Sequence, residues 1–126
     1  MFHVEHFQKV NFMQEITVLD GLFKILFAIY QTPTMYLRRK SIFQLEIFIQ
    51  GIRYGVVLDC QQNQRLKQEL EILHQFDLFL RQKYFYGASL NCYSALYCHS
   101  GGSEEIAFGL FFEELKIYLN QNTMSI

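Results

Sequence analysis

Residues 42–58 read IFQLEIFIQGIRYGVVL, and their spacing is the strongest structural signal in the chain. Apolar side chains recur at every second position on both sides of Gln50-Gly51, a pair typical of a tight turn. Successive strand residues point to opposite faces, so pairing Ile49 with Ile52 gathers one alternating set on a single face. The pattern predicts a half-buried antiparallel hairpin. That face consists of Phe43, Leu45, Ile47, Ile49, Ile52, Tyr54, Val56 and Leu58.

A second hairpin and a separate strand are also indicated by the sequence. Ile16–Leu19 and residues 22–30 flank Asp20-Gly21, a strong hairpin turn signal because glycine tolerates positive φ. The second arm also fits a helix, with apolar residues at Leu22, Ile25, Leu26 and Ile29. Pro33 ends whichever element precedes it. Residues 88–99 return to a period of two, with Asn91, Tyr93, Tyr97 and His99 on the predicted outward face.

Two helices are predicted between and after these strands. The first begins at Asp59, with Gln62 as its capping-box partner, and ends at Gly87. Its inward stripe consists of Leu66, Leu70, Leu73, Phe76 and Leu80. The second follows the break at Gly101-Gly102, is capped by Ser103 and runs to about residue 120. Its main stripe consists of Phe108, Phe111, Phe112, Leu115, Tyr118 and Leu119.

Together these strands and helices predict an α+β fold, in which two helices accompany a small antiparallel or mixed, β-barrel-like sheet. We expect one domain over residues 13–120, an N-terminal appendage over 1–12 and a C-terminal tail over 121–126. The chain has 126 residues, of which 51% are hydrophobic and 18% charged, and this composition excludes a disordered protein. Its cysteine count of 3 is odd and suits free thiols rather than a disulfide framework. With neither a secretory signal nor a membrane-spanning stretch, we expect a cytoplasmic protein with no membrane partner.

Sequence motifs for catalysis are weak throughout. Cys98 and His99 are adjacent, and on a strand they point to opposite faces, so they cannot form a nucleophile and base pair. The cysteines and histidines lack the spacing of a zinc site. Asp77 falls within the apolar stripe of its helix, where an ion pair with Arg81 explains it best and a catalytic role is the alternative. We therefore expect no enzyme activity, no cofactor and no metal.

Charge is distributed unevenly along the chain. Residues 35–67 hold six basic and two acidic residues, a net charge of +4, whereas residues 101–126 carry −3. Exposed rings beside arginines on a sheet suit single-stranded RNA, because bases stack on the rings while arginine meets phosphate. The sequence therefore predicts an RNA-binding surface. Its phosphate-contacting residues are Arg38, Arg39, Lys40 and Arg53, and its stacking rings are Phe48, Tyr93 and Tyr97.

The last predicted helix also offers a different function. Ile106, Leu110 and Ile117 form a second apolar stripe opposite its main core face. Such a stripe is either enclosed within the fold or free to bind a partner. The alternative to RNA binding is therefore a protein-binding module of the immunity or anti-activator type, or a homodimer, which acts through this C-terminal helix.

Three segments carry a resemblance to a known family. Val18–Lys24, Tyr36–Lys40 and Arg53–Val56 resemble the PrgU-type regulators of enterococcal pheromone-responsive conjugative plasmids, and the likeness covers nearly all of residues 13–120. The resemblance implies a PUA-like fold, a small mixed β-barrel module associated with RNA binding. It also implies a bacterial regulator that exerts negative control over pheromone-induced surface-protein and transfer genes through their transcripts.

Overall fold

Helices follow one another along the chain. The computed structural model describes residues 21–58, 64–84 and 91–124. Within these ranges it contains no strand. The elements are α1 (Gly21–Gln31), a short 3-10 helix (Pro33–Met35), α2 (Ile42–Leu58), α3 (Gln64–Lys83), α4 (Cys92–His99) and α5 (Glu104–Met124). The α+β prediction, with its β-barrel-like sheet, is therefore wrong, and so is the PUA-like fold that the resemblance implies.

The segment predicted as the main hairpin is the helix α2. Ile42, Leu45 and Ile49 are buried at the three- and four-residue spacing of one helical face, which half-buried Ile52 and Val56 extend. A hairpin would have turned Ile42 away from Leu45, and that burial would have been lost. Apolar residues are dense enough here to satisfy both periods, and packing against neighbouring helices selects the helical one.

The other two strand predictions are also wrong. Residues 22–30 belong to α1, which buries Leu22, Leu26 and Ile29, so the helical interpretation of this segment is the correct one. Cys92–His99 forms α4, which begins where the Asn91 side chain accepts a hydrogen bond from the Ser94 backbone N–H. The arm at Ile16–Leu19 and residues 88–90 lie outside the described residues.

Both predicted helices are confirmed in their described parts. α3 buries Leu70, Leu73, Phe76 and Leu80, while Asp59, Gln62 and Gly87 lie outside the described residues. Before α5, Gly101 and Gly102 adopt φ values of 70° and 83°, which glycine tolerates and which end α4. The hydroxyl of Ser103 then accepts a hydrogen bond from the Ile106 N–H, as predicted for the cap of α5.

Phenylalanines of α5 occupy the centre of the core. Phe112 contacts the ring of Phe27 from α1 at a centroid distance of 5.5 Å, and Phe111 contacts Phe76 from α3 at 5.3 Å. α5 also packs against α2 and α4. Its buried side thus contacts each of the other four α-helices that the structure describes, and these contacts fix the direction in which its opposite side faces.

The N-termini of α2 and α5 meet at a polar junction. The Ser41 hydroxyl accepts a hydrogen bond from the Phe43 N–H, which caps α2, and it donates to the Glu104 carboxylate on α5. That hydrogen bond, followed by the one from Arg39, holds the pKa of Glu104 below its ordinary value. The junction fixes where α5 begins relative to α2.

Candidate functional site

The basic cluster Arg38–Lys40 lies between the 3-10 helix and α2. Arg39 Nη2 is 2.7 Å from Glu104 Oε1, and Lys40 Nζ is 3.9 Å from Glu105 Oε2. Two cations of the cluster therefore pair with the acidic first turn of α5. Arg38 is exposed beside them.

Arg53 does not join that cluster. A rise of about 1.5 Å per helical residue places it roughly 18 Å along α2 from Ser41, which stands beside the cluster. Burial raises the pKa of Tyr93, and the nearby charge of Arg53 opposes that rise. The structure thus places one predicted cation near one predicted ring, at a distance from the other three cations.

The predicted stacking rings pack against the chain's own core. Phe48, Tyr93 and Tyr97 are all partly buried against it. Tyr93 stacks on Phe111 with ring centroids 5.9 Å apart, and Tyr97 lies 5.0 Å from Phe43. Aromatic neighbours cover part of the Tyr93 and Tyr97 rings, and the predicted RNA-binding residues do not form one open surface.

α5 has a second side that faces solvent. Ile106 is 62% exposed and Ile117 is 51% exposed, and Leu110 is half-buried between them. Glu113 is exposed in the same row, at the spacing of one helical face. We call Ile106, Leu110, Glu113 and Ile117 the outer face of α5. It extends roughly 16 Å, about three helical turns.

An open groove adjoins this outer face at the C-terminal end of α4. Its volume is about 370 Å³. Gly109 lies in the groove, and no heavy atom comes within 4 Å of the position that a Cβ there would take. The floor of the groove is therefore open because position 109 has no side chain. The lining residues are His99, Ser100, Ile106, Gly109, Leu110 and Glu113.

A buried carboxylate fixes α5 to the end of α3. Glu114 is 5% exposed, and it accepts hydrogen bonds from Lys83 Nζ at 3.0 Å and from the Tyr84 hydroxyl. Burial, followed by the hydrogen bond to Glu114, raises the pKa of Tyr84 well above its ordinary value. The Tyr84 ring meets His99 edge-on at a centroid distance of 4.6 Å. This network holds His99, one wall of the groove, in place.

Asp77 forms the ion pair that the sequence favoured. Arg81 donates to its two carboxylate oxygens over 3.2 Å and 3.1 Å. Burial is the main cause of the raised pKa of the Cys92 thiol, and the negative charge of Asp77 raises it further. The raised pKa disfavours the nucleophilic thiolate form of Cys92. In the part of the chain that the structure describes, Cys92 and Cys98 are free thiols and no cluster of His, Cys, Asp and Glu is placed to hold a metal. None of the described helices is both long enough and apolar enough to cross a membrane.

Sequence reasoning identified the apolar residues of the outer face and missed the groove beside them. The groove requires His99 and Ser100 at the end of a helix, where the sequence pattern had predicted a strand. The network around Glu114 was missed as well. The sequence did contain a signal for this network, because Glu114, next to the buried Leu115, lies on the buried side of a correctly predicted helix.

Similarity to known proteins does not identify this site. The chain matches no protein-family model, no curated protein and no solved structure. The function is therefore argued from the residues of the outer face and its groove.

Proposed function

We propose that this protein is a protein-binding module whose outer face on α5 docks an amphipathic helix of a partner. The observation that carries the proposal is the exposure of Ile106 and Ile117 beside an open groove. Exposed apolar residues that are contiguous with a groove are typical of helix-in-groove recognition. Such a module acts by occupying a helix of its partner, in the manner of an immunity or anti-activator protein.

The spacing of the outer face matches one side of a helical ligand. Leu110 supplies a half-buried floor, and Ile106 and Ile117 flank it along the axis of α5. A partner helix aligned with α5 would place apolar residues at every third or fourth position along these side chains. The open space at Gly109 accepts one larger anchoring side chain from the partner.

The charge on the outer face adds a second requirement for the partner helix. Glu113 is exposed on the outer face and makes no ion pair with any residue that the structure describes. An apolar strip that contains an unpaired carboxylate favours a partner helix with lysine or arginine beside its apolar stripe. A contact over three helical turns buries less surface than a standard protein interface. We therefore expect a transient complex of micromolar rather than nanomolar affinity.

The test uses a synthetic amphipathic helix of about four turns, with leucines on one side and flanking lysines. Fluorescence anisotropy of the labelled peptide should report saturable binding to the full chain. Leu110→Glu should weaken binding at least about tenfold, because it places a charge in the apolar floor. Ile47→Glu is the matched control, since Ile47 is also exposed, at 64%, and lies on α2.

Equal weakening by the two variants would show non-specific hydrophobic binding and would contradict the proposal. A peptide with glutamates in place of the lysines should bind less tightly than the lysine peptide. If it binds as tightly, Glu113 has no role in selecting the partner. Circular dichroism of both variants checks that each remains folded.

RNA binding stays a prediction, and the proximity of Arg53 to Tyr93 is the observation that favours it. Its test is a titration of the chain with single-stranded RNA at low salt. A phosphate-contacting surface should lose affinity steeply as salt rises, and Arg53→Ala should reduce the salt dependence. An absence of binding at low salt would contradict the prediction.

A further inference from the structure

A second groove lies between α1, α2 and α3, separate from the outer face of α5. Its volume is about 330 Å³, at the lower end of the range for small-molecule sites. Most of its lining is apolar, and two charged residues contribute to its wall. The apolar residues are Leu22, Ile25, Ile52 and Leu66, and the charged residues are Arg65 and Glu69.

Glu69 is an unusual residue for such a wall, because it is only 6% exposed. Its Oε1 atom accepts a hydrogen bond of 3.1 Å from the Leu22 backbone N–H at the start of α1. Its Oε2 atom is buried and accepts no hydrogen bond in the part of the chain that the structure describes. Buried polar atoms are nearly always hydrogen-bonded, so an acceptor in the wall of a groove points to a donor that does not belong to the described residues.

The immediate surroundings hold the carboxylate in a fixed position. Gly21 has a φ of 57°, and a Cβ at this residue would lie 2.7 Å from Glu69 Oε1. Only glycine therefore lets the start of α1 approach the carboxylate this closely. The Leu22 hydrogen bond then fixes one oxygen, which leaves the other presented as an acceptor.

Charge balance decides which donor suits the groove. Arg65 Nε lies 3.7 Å from Glu69 Oε2, which is close enough for an ion pair and too long for a hydrogen bond. Because Arg65 already balances the carboxylate charge, a cationic ligand would meet the guanidinium, and an anionic ligand would meet Glu69. An uncharged donor avoids both repulsions.

We propose that this groove binds a small uncharged molecule with an apolar body and one hydroxyl or N–H group, which donates a hydrogen bond to Glu69 Oε2. The apolar body would lie against Ile25 and Ile52. This site is independent of the docking function proposed for α5, because none of its lining residues belongs to α4 or α5.

The test compares n-hexanol with its isomer methyl pentyl ether, which has the same atoms and lacks a donor. Heteronuclear NMR of the full chain follows the Leu22 amide, which donates a hydrogen bond to the Glu69 carboxylate. We expect saturable shifts of that amide with n-hexanol and about tenfold weaker binding of the ether. Equal affinities for the two isomers, or no saturable shift with n-hexanol, would overturn the proposal.

Two variants and a matched control assign the effect to the site. Glu69→Gln replaces the acceptor with an amide that can donate to either isomer, so the preference for n-hexanol should disappear. Ile52→Phe fills the groove and should abolish binding, whereas Ile47→Phe on the exposed side of the same helix should leave it unchanged. If Glu69→Gln fails to fold, the Ile52 and Ile47 pair still decides, and binding that survives Ile52→Phe would contradict the assignment.

Discussion

Replacing Gly51 with alanine distinguishes a helix from a hairpin over residues 42–58 by the sign of its effect on stability. Gly51 lies within α2, on its exposed side, and its φ is outside the left-handed region. No heavy atom lies within 4 Å of the position that the new methyl group would take. The substitution therefore adds no clash and changes mainly the conformational freedom of the chain.

The size of the stability change in Gly51→Ala follows from this difference in conformational freedom. Alanine in an exposed helix interior is more stable than glycine by about 0.8–1 kcal/mol, because glycine loses more backbone entropy on folding. For a chain of 126 residues, this corresponds to a rise in Tm of roughly 3–5 °C. Gly55 is exposed one turn further along, again with no atom within 4 Å, so Gly55→Ala should add a similar increment.

Thermal unfolding followed by far-UV circular dichroism measures the effect. Gly102→Ala is the matched control, since Gly102 has a φ of 83° that costs an alanine roughly 1–2 kcal/mol. In the helical fold Gly51→Ala raises Tm and Gly102→Ala lowers it. A hairpin turn at Gln50-Gly51 would need positive φ at the glycine, so a lower Tm for Gly51→Ala would refute the assignment of α2.

Three further substitutions test the packing and the polar junctions. Phe112→Ala removes a fully buried ring and should lower the free energy of unfolding by about 3–5 kcal/mol in urea denaturation, and a loss below about 1 kcal/mol would contradict a central role for this ring. Glu114→Ala removes an acceptor for the Tyr84 hydroxyl and should cost roughly 1–3 kcal/mol; an unchanged urea midpoint would mean that the network does not hold α5. The pKa of Glu104 is held below its ordinary value of 4.5, so its stabilising contribution is present above about pH 4.5 and is lost as the pH falls through the folded-state pKa. Between roughly pH 5 and pH 3 the original chain should therefore lose more stability than Glu104→Gln does, and parallel losses would show that Glu104 contributes nothing.

The sequence pattern identified some elements and left others ambiguous. The difference lies in how densely apolar residues follow one another along each segment. The stripe of α3 alternates clearly with polar residues, so only the helical period fits it. The start of α5 is marked by the break at Gly101-Gly102 and the cap at Ser103. In residues 42–58, 11 of the 17 positions are apolar, and Ile42, Leu45 and Ile49 satisfy the helical period while Leu45, Ile47 and Ile49 satisfy the strand period. Only the position of neighbouring helices, which the local pattern does not contain, decides between the two.

The candidate site was predictable to the same extent as the elements that form it. Ile106 and Ile117 lie on a helix that the sequence predicts, so their common side could be derived from helical geometry. The groove wall at His99 belongs to α4, whose period of two had suggested a strand. The pairing of Arg39 with Glu104 joins the basic and acidic parts of the chain across 65 positions, and charge content alone does not say that these parts meet.

The most direct test of the docking proposal is to map the amphipathic lysine peptide onto the isotope-labelled chain by heteronuclear NMR. The proposal predicts that the largest amide shifts fall on Ile106, Gly109 and Ile117, and that the exposed side of α2 around Ile47 is unaffected. Shifts concentrated on α2, or spread evenly over all exposed apolar residues, would contradict a docking function for the outer face of α5.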